Sequence, residues 1–105
     1  MIRSDNMTNT IFDFTLNDGT TVQMTLNFLN LYKLSNSDKK LYLDYNSKVT
    51  QGIKTELDNI LILYTAYRCA NLENYMNYEE FLAKIPCSRQ EIADILGKLL
   101  GIKKK

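Results

Sequence analysis

Apolar residues recur at helical spacing through the middle of the chain, between Lys54 and Asn71. Positions i, i+3, i+4 and i+7 of one helical face are held by Leu57, Ile60, Leu61 and Tyr64. The opposite side is also mainly apolar, and the polar residues fall into one narrow stripe that Leu61 interrupts: Lys54, Asp58, Thr65 and Arg68. A helix that is apolar around most of its circumference must be covered on several sides. The pattern predicts a central helix that forms the core, or the core and an interface.

Before this helix, from Thr10 to Leu26, apolar and polar residues alternate with a period of two. Apolar side chains alternate with polar ones at two sets of positions: Phe12, Phe14 and Leu16, then Val22, Met24 and Leu26. Asp18-Gly19 lies between the two runs and predicts a type I′ hairpin turn, because both residues tolerate a positive φ. An isolated hairpin is only marginally stable in water, so the apolar face of this one is expected to pack on helices.

Two further helices are predicted between the hairpin and the central helix. Residues 27–34 have apolar side chains at helical spacing, and the polar run Ser35–Asp38 ends this helix and offers N-cap oxygens for the next. Helical spacing continues through Lys39–Val49, and Gly52 ends that segment.

Two capping-box patterns follow the central helix. Asn77 with Glu80 opens a short helix that Pro86 ends. Ser88 with Glu91 opens the last helix, which ends at Gly101 and is followed by three lysines. The predicted fold is therefore α+β and mainly helical, with an N-terminal β-hairpin packed on about five helices. We expect a disordered segment over 1–9, one domain over 10–102 and a basic tail over 103–105.

Composition narrows the classes of function. The chain has 105 residues, a net charge of +1 and no histidine, which removes the commonest general base and zinc ligand. A balanced charge gives no general attraction to nucleic acid or to an acidic membrane. Ile60–Tyr64 is the longest apolar run and is too short to span a bilayer. With no signal peptide and no disulfide framework, we expect an intracellular protein with reduced thiols.

No set of residues predicts catalysis, cofactor binding or a metal site. Asp44-x-Asn46-x-Lys48 begins like a calcium loop, but Lys48 places a cation where the third ligand belongs. Cys69 lies in the apolar central helix and, like Cys87, has no C-x-x-C partner and no histidine to act as its base. A buried and inert thiol is the favoured interpretation of Cys69, and the chain is predicted not to be an enzyme.

Ser88–Gly97 resembles the first half of a helix-turn-helix, with Gly97 at the turn. A recognition helix would have to follow and enter the major groove, but only Lys98–Lys105 remain. A capped amphipathic helix explains the same residues and is favoured. A small DNA-binding transcriptional regulator that uses a degenerate helix-turn-helix stays the alternative function.

The order and spacing of these features resemble the tail assembly chaperones of long-tailed, siphovirus-type bacteriophages of Gram-positive hosts. The resembling segments are the hairpin Ile11–Phe14 with its Asp18-Gly19 turn, the helix Lys40–Asn46, the central segment Glu56–Asn71, and Met76–Leu82 followed by Pro86. Together they cover most of the chain.

The resemblance implies a non-enzymatic protein of phage or prophage origin that binds and solubilises the tape-measure protein during tail assembly. It implies a location in the host bacterial cytoplasm, absence from the mature virion, and a longer frameshifted form that contacts the tail-tube protein. Lys103–Lys105 fits such a form because A-rich lysine codons can slip, although a solvated basic tail explains it equally well. The sequence also leaves homo-oligomer formation undecided. Met7 is a second candidate for the first translated residue. The residues expected to bind protein are Tyr64, Tyr67, Arg68, Leu99 and Ile102.

Overall fold

A β-hairpin and five helices make up the computed structural model, which describes residues 11–86 and 88–101. This confirms the α+β, mainly helical fold. The elements are β1 (Phe12–Thr15), β2 (Thr21–Met24), α1 (Phe28–Ser37), α2 (Lys39–Gln51), α3 (Glu56–Ala70), α4 (Tyr78–Lys84) and α5 (Arg89–Leu100). The expectations for residues 1–9, Cys87, Ile102 and the basic tail fall outside the described residues.

The hairpin has the predicted strands but not the predicted turn. Phe14 pairs with Val22 in an antiparallel register, and Phe14 itself lies in the core. Gly19 has a φ of 88°, whereas no non-glycine residue of the described chain has a positive φ, so the type I′ assignment is wrong. The Gly19 N–H donates to the Leu16 carbonyl at 3.0 Å and the Leu16 N–H to the Thr20 carbonyl at 2.8 Å. These bonds define a three-residue loop that ends in a left-handed glycine.

A single residue, Asp38, forms the junction between α1 and α2. α1 continues to Ser37, three residues beyond its predicted end, and Asp38 alone separates it from α2. The Asp38 N–H donates to the Leu34 carbonyl at 2.7 Å, while Asp38 Oδ1 accepts from the Leu41 N–H at 3.1 Å. One residue thus caps the end of one helix and the start of the next. Gly52, with a φ of 105°, ends α2 as predicted.

Capping also sets the limits of the last three helices. Thr55 and Asp58 form a capping box at the start of α3, which the sequence analysis did not identify. The predicted box of Asn77 with Glu80 is present. The box predicted for Ser88 with Glu91 is only half formed among the described residues: Ser88 accepts from the Glu91 N–H at 3.2 Å, but the Glu91 carboxylate does not accept from the Ser88 N–H. Ile85, before Pro86, is extended, and Gly101 is left-handed. The helix limits predicted at Asn77, Pro86 and Gly101 therefore have specific backbone causes.

The core surrounds α3, as the all-round apolar pattern predicts. Eight consecutive residues, Ile62–Cys69, are buried, and the hairpin, α1, α2, α4 and α5 all pack against this helix. The hairpin is joined to it by a backbone hydrogen bond from the Thr25 N–H to the Ala66 carbonyl at 3.1 Å. Even the polar residues Thr65 and Arg68 are buried, so the predicted polar stripe does not reach solvent along the second half of α3.

Candidate protein-binding surfaces

Three of the five predicted protein-binding residues lie in the interior. Tyr64, Tyr67 and Arg68 are 5%, 4% and 5% exposed, so they do not form the surface that the sequence analysis expected. Helical spacing placed them on α3 correctly, but it could not show that α4 and the loop before it cover this part of the helix. A partner would have to displace those segments to reach any of the three.

Tyr64 and Tyr67 instead hold the loop between α3 and α4. The Tyr64 hydroxyl donates to the Met76 carbonyl at 2.8 Å, and the Met76 N–H donates to the Tyr67 hydroxyl at 2.7 Å. Phe81 packs against both rings, with centroids 5.3 Å apart in each case. The two hydroxyls therefore satisfy both polar groups of one loop residue and fix the loop onto the core.

Arg68 and Cys69 have equally internal roles. The Arg68 guanidinium lies 3.1 Å from Asp38 Oδ2, and its central carbon lies 3.5 Å from the Tyr75 ring centroid. Its Nε is buried and has no hydrogen-bond partner among the described residues. Cys69 is buried as predicted, and burial raises the pKa of its thiol to about 12 even though the Arg68 charge opposes the shift. A thiol with so high a pKa is unreactive at neutral pH.

An open apolar groove runs between the start of α3 and the length of α5; we call it the α3–α5 groove. Its volume is about 700 Å³. One wall is a helical stripe of α5 at positions i, i+1, i+4, i+5 and i+8: Ile92, Ala93, Leu96, Gly97 and Leu100. The facing wall comes from Ile53, Leu57 and Ile60. Leu57 is 64% exposed, so an apolar residue of the predicted core face lies in contact with water.

The polar side chains that line this groove are Glu56, Asn59 and Arg89. Glu56 and Arg89 form an ion pair there, which joins the first turns of α3 and α5. Both side chains are well exposed, so the pair contributes little stability. Gly97 provides unoccupied space within the groove, since a Cβ built on it meets no atom within 4 Å.

A second apolar surface lies on α1 and α2; we call it the α1–α2 face. It surrounds a hollow of about 380 Å³ lined by Phe28, Leu31, Tyr32, Ser35, Tyr42, Tyr45, Asn46 and Val49. Phe28 and Tyr32 are 81% and 65% exposed. The half-buried Leu99 lines a neighbouring hollow of about 520 Å³, so this predicted residue does lie at the surface, beside Phe28.

The sequence contained only part of the information needed to find these surfaces. Leu57 matched the apolar face of α3, but periodicity does not distinguish a covered position from an open one. Phe28 is the first residue of α1, so no preceding helical turn can cover its side chain. Both residues lie in the first turn of a helix, but so does the buried Leu41, so this position does not by itself indicate an exposed residue.

The face of α5 beside β1 carries acidic groups. Glu91 and Asp94 are exposed, Gln90 hydrogen-bonds Asp94 at 2.9 Å, and Arg89 is paired with Glu56. Lys98 is exposed on the same face, so its charges are mixed, and the face offers no continuous basic surface for the phosphates of the DNA-binding alternative.

Metal and membrane signals are also absent from the part of the chain that the structure describes. No three His, Cys, Asp or Glu residues there form a group that could hold a metal ion, and Asp44 pairs with Lys40 at 3.1 Å. None of the described helices is long and apolar enough to cross a membrane. Comparison with protein-family models, curated proteins and solved structures finds no match to this chain.

Proposed function

We propose that the protein is a non-enzymatic tail assembly chaperone of long-tailed bacteriophages. It binds the tape-measure protein in the host cytoplasm during tail assembly and does not remain in the mature virion. The resemblance in the order of sequence features suggests this family. The observation that carries the proposal is the α3–α5 groove, an open surface whose walls are apolar along most of their length.

An apolar helix of the tape-measure protein is the client that suits this groove. The α5 wall presents residues at helical spacing, and Leu57 and Ile60 do so on the facing wall, so a third helix can pack against both with its own apolar stripe. Ala93 and Gly97 leave space between the larger residues of α5, where large side chains of the client can insert. The client stripe would otherwise lie in water and promote aggregation.

One groove supplies modest affinity, which suits a temporary partner. Fully burying a leucine side chain contributes about 1.5–3 kcal/mol, and Leu57 is the most exposed large apolar residue of the groove. Ordering the client costs part of this energy. Several copies bound along one extended client would hold it soluble together, while each copy can still be displaced as tube subunits assemble.

Co-purification tests the proposal. Tape-measure segments with an apolar helical stripe are co-expressed with the tagged protein, and the recovered client is measured for Leu57→Glu beside the unchanged chain. Leu57→Glu is expected to lower recovery about tenfold, since it places a charge on the groove wall. Leu43→Glu is the matched control, because Leu43 is 51% exposed on α2 and does not line the groove. Circular dichroism should be the same for all three proteins.

Two results would count against this function. The first is equal client recovery with Leu57→Glu and Leu43→Glu. The second is retention on duplex DNA at physiological salt with a steep salt dependence, which would favour the DNA-binding alternative. The tail-tube contact of a frameshifted form is a separate prediction, and the gene decides it: an A-rich heptamer and an overlapping downstream frame are required.

A further inference from the structure

We propose that the α1–α2 face binds the same face of a second copy of this chain, in a two-fold symmetric dimer. This surface is separate from the α3–α5 groove, whose occupant is the client. The inference therefore adds to the proposed function without depending on it. Three properties of the face support a second copy as its occupant: its shape, its area and its lack of charge.

The shape of the face is complementary to itself. Phe28 projects into solvent with 81% of its surface exposed, and it lies at the edge of the α1–α2 hollow. The hollow measures about 380 Å³. An apolar cavity of about 150 Å³ is enough to bind benzene, so a phenyl ring fits. In a two-fold contact, Phe28 of each copy can enter the hollow of the other, because an isologous interface repeats every contact.

The area is also sufficient. At about 200 Å² for a whole aromatic side chain, the exposed fractions of Phe28 and Tyr32 leave about 300 Å² of aromatic surface in water. A standard interface buries about 800 Å² on each partner, of which about 450 Å² is non-polar. These two residues alone supply about two thirds of that non-polar area. Val49, 46% exposed, and the half-buried Tyr42 extend it.

The lack of charge distinguishes this face from a site for a charged partner. None of the eight side chains that line the hollow is charged. Near a two-fold axis each side chain lies close to its own symmetry copy, so a charged residue there would meet a like charge. Tyr32 and Val49 can be brought against their own symmetry copies without that cost. The Lys40–Asp44 ion pair of α2 is not part of the hollow.

Sedimentation velocity over a range of concentrations tests the dimer. The unchanged chain is expected to sediment as a dimer at high concentration and to dissociate on dilution. Phe28→Glu should weaken the dimer by at least about tenfold, since it removes the central aromatic contact. Leu57→Glu is the matched control: it also places a glutamate in the first turn of a helix, where the helix dipole tolerates it. That variant should dimerise like the unchanged chain.

A mixing experiment tests whether Phe28 of one copy inserts into the α1–α2 hollow of the other. Phe28→Ala removes the projecting ring and keeps the hollow, whereas Asn46→Trp fills the hollow from an exposed position and keeps Phe28. Each variant alone loses both symmetric contacts, but a mixture regains one of them. We expect native mass spectrometry to show mixed dimers in excess of either homodimer.

The proposal is overturned if the unchanged chain is monomeric at every concentration. It is also overturned if Phe28→Glu dimerises normally, if Leu57→Glu dissociates to the same extent, or if the mixture shows no excess of mixed dimers. Client recovery reports on the α3–α5 groove and sedimentation reports on the α1–α2 face, so either proposal can fail while the other stands.

Discussion

Arg68 of α3 reaches Asp38, the single residue between α1 and α2, with Nη1 3.1 Å from Oδ2. The Arg68 side chain is 6% exposed and that of Asp38 is 33% exposed, so the charge of the arginine is almost completely removed from water. The Asp38 carboxylate pairs with the Arg68 guanidinium, and the exposed Tyr75 ring covers the same guanidinium. The contact joins the helical hairpin of α1 and α2 to the end of the central helix.

Asp38→Asn is expected to lower the free energy of unfolding by about 2 kcal/mol, because it leaves the Arg68 charge buried without a counter-charge. The amide oxygen can still accept from the Leu41 N–H, so the cap of α2 is kept. Asp38→Ala should cost about 1 kcal/mol more, since it removes the cap as well. Urea denaturation measures both, and equal stability of Asp38→Asn and the unchanged chain would show that the ion pair contributes nothing.

Tyr67→Phe is expected to lower the free energy of unfolding by about 1 kcal/mol, because the Met76 N–H loses its acceptor. Tyr64→Phe should cost less, since a carbonyl with one lost donor is better tolerated than a buried N–H with no acceptor. Tyr67→Ala should cost about 3–5 kcal/mol, as other large aromatic truncations in cores do. If Tyr67→Phe retained full stability yet lost the client, these tyrosines would be contact residues and the interior role would be wrong.

The Cys69 thiol predicts a loss of stability at alkaline pH. Its pKa is raised from the ordinary 9.0 to about 12 in the folded state. The folded chain therefore keeps a proton that the unfolded chain releases, so the contribution to stability is complete below pH 9 and is lost as the pH rises toward 12. The free energy of unfolding should fall by up to about 1.4 kcal/mol per pH unit in this window.

Cys69→Ala tests this effect, because Tyr64 remains in both proteins and the pKa of Tyr45 is raised mainly by burial, with the Cys69 charge a smaller cause. The stability difference between the unchanged chain and Cys69→Ala should shrink between pH 9 and pH 12. A difference that stayed constant with pH would show that the thiol ionises equally in both states. Labelling with a thiol reagent in a Cys87→Ser background should likewise be slow until urea unfolds the chain.

Gly97→Ala is expected to raise the free energy of unfolding by about 1 kcal/mol, since alanine is the better helix former and its Cβ meets open space. The methyl group occupies little of the α3–α5 groove, so client recovery should be nearly unchanged. Gly97→Phe projects a ring into the groove and should abolish recovery without unfolding the protein. Thermal unfolding and co-purification separate the two effects, and a destabilised Gly97→Ala would show that the site is not open.

Local signals in the sequence located the strands and helices of this fold, but not the hairpin turn type, the end of α1 or the surfaces. The Asn77–Glu80 box, Pro86 and Gly101 act on the backbone within a few residues, so their effects were predictable. The burial of Tyr64, Tyr67 and Arg68 depends on a loop that folds back over α3. Conversely, Leu57 and Phe28 carry the apolar signal of core residues and lie in water. Whether a neighbour covers a helical face is a tertiary property that periodicity does not encode.

The hairpin turn also has a consequence far from its own position. The Asn17 N–H donates to the Lys84 carbonyl at 2.8 Å, its amide to the Ile85 carbonyl at 3.0 Å, and Asp18 lies 3.3 Å from Lys84. These bonds anchor the chain immediately before Pro86, where it turns toward α5. The hairpin turn thus helps to fix the position of α5, which forms one wall of the α3–α5 groove. Shortening this hairpin loop should allow α5 to move relative to α3. The width of the groove therefore depends partly on residues that do not contact the client.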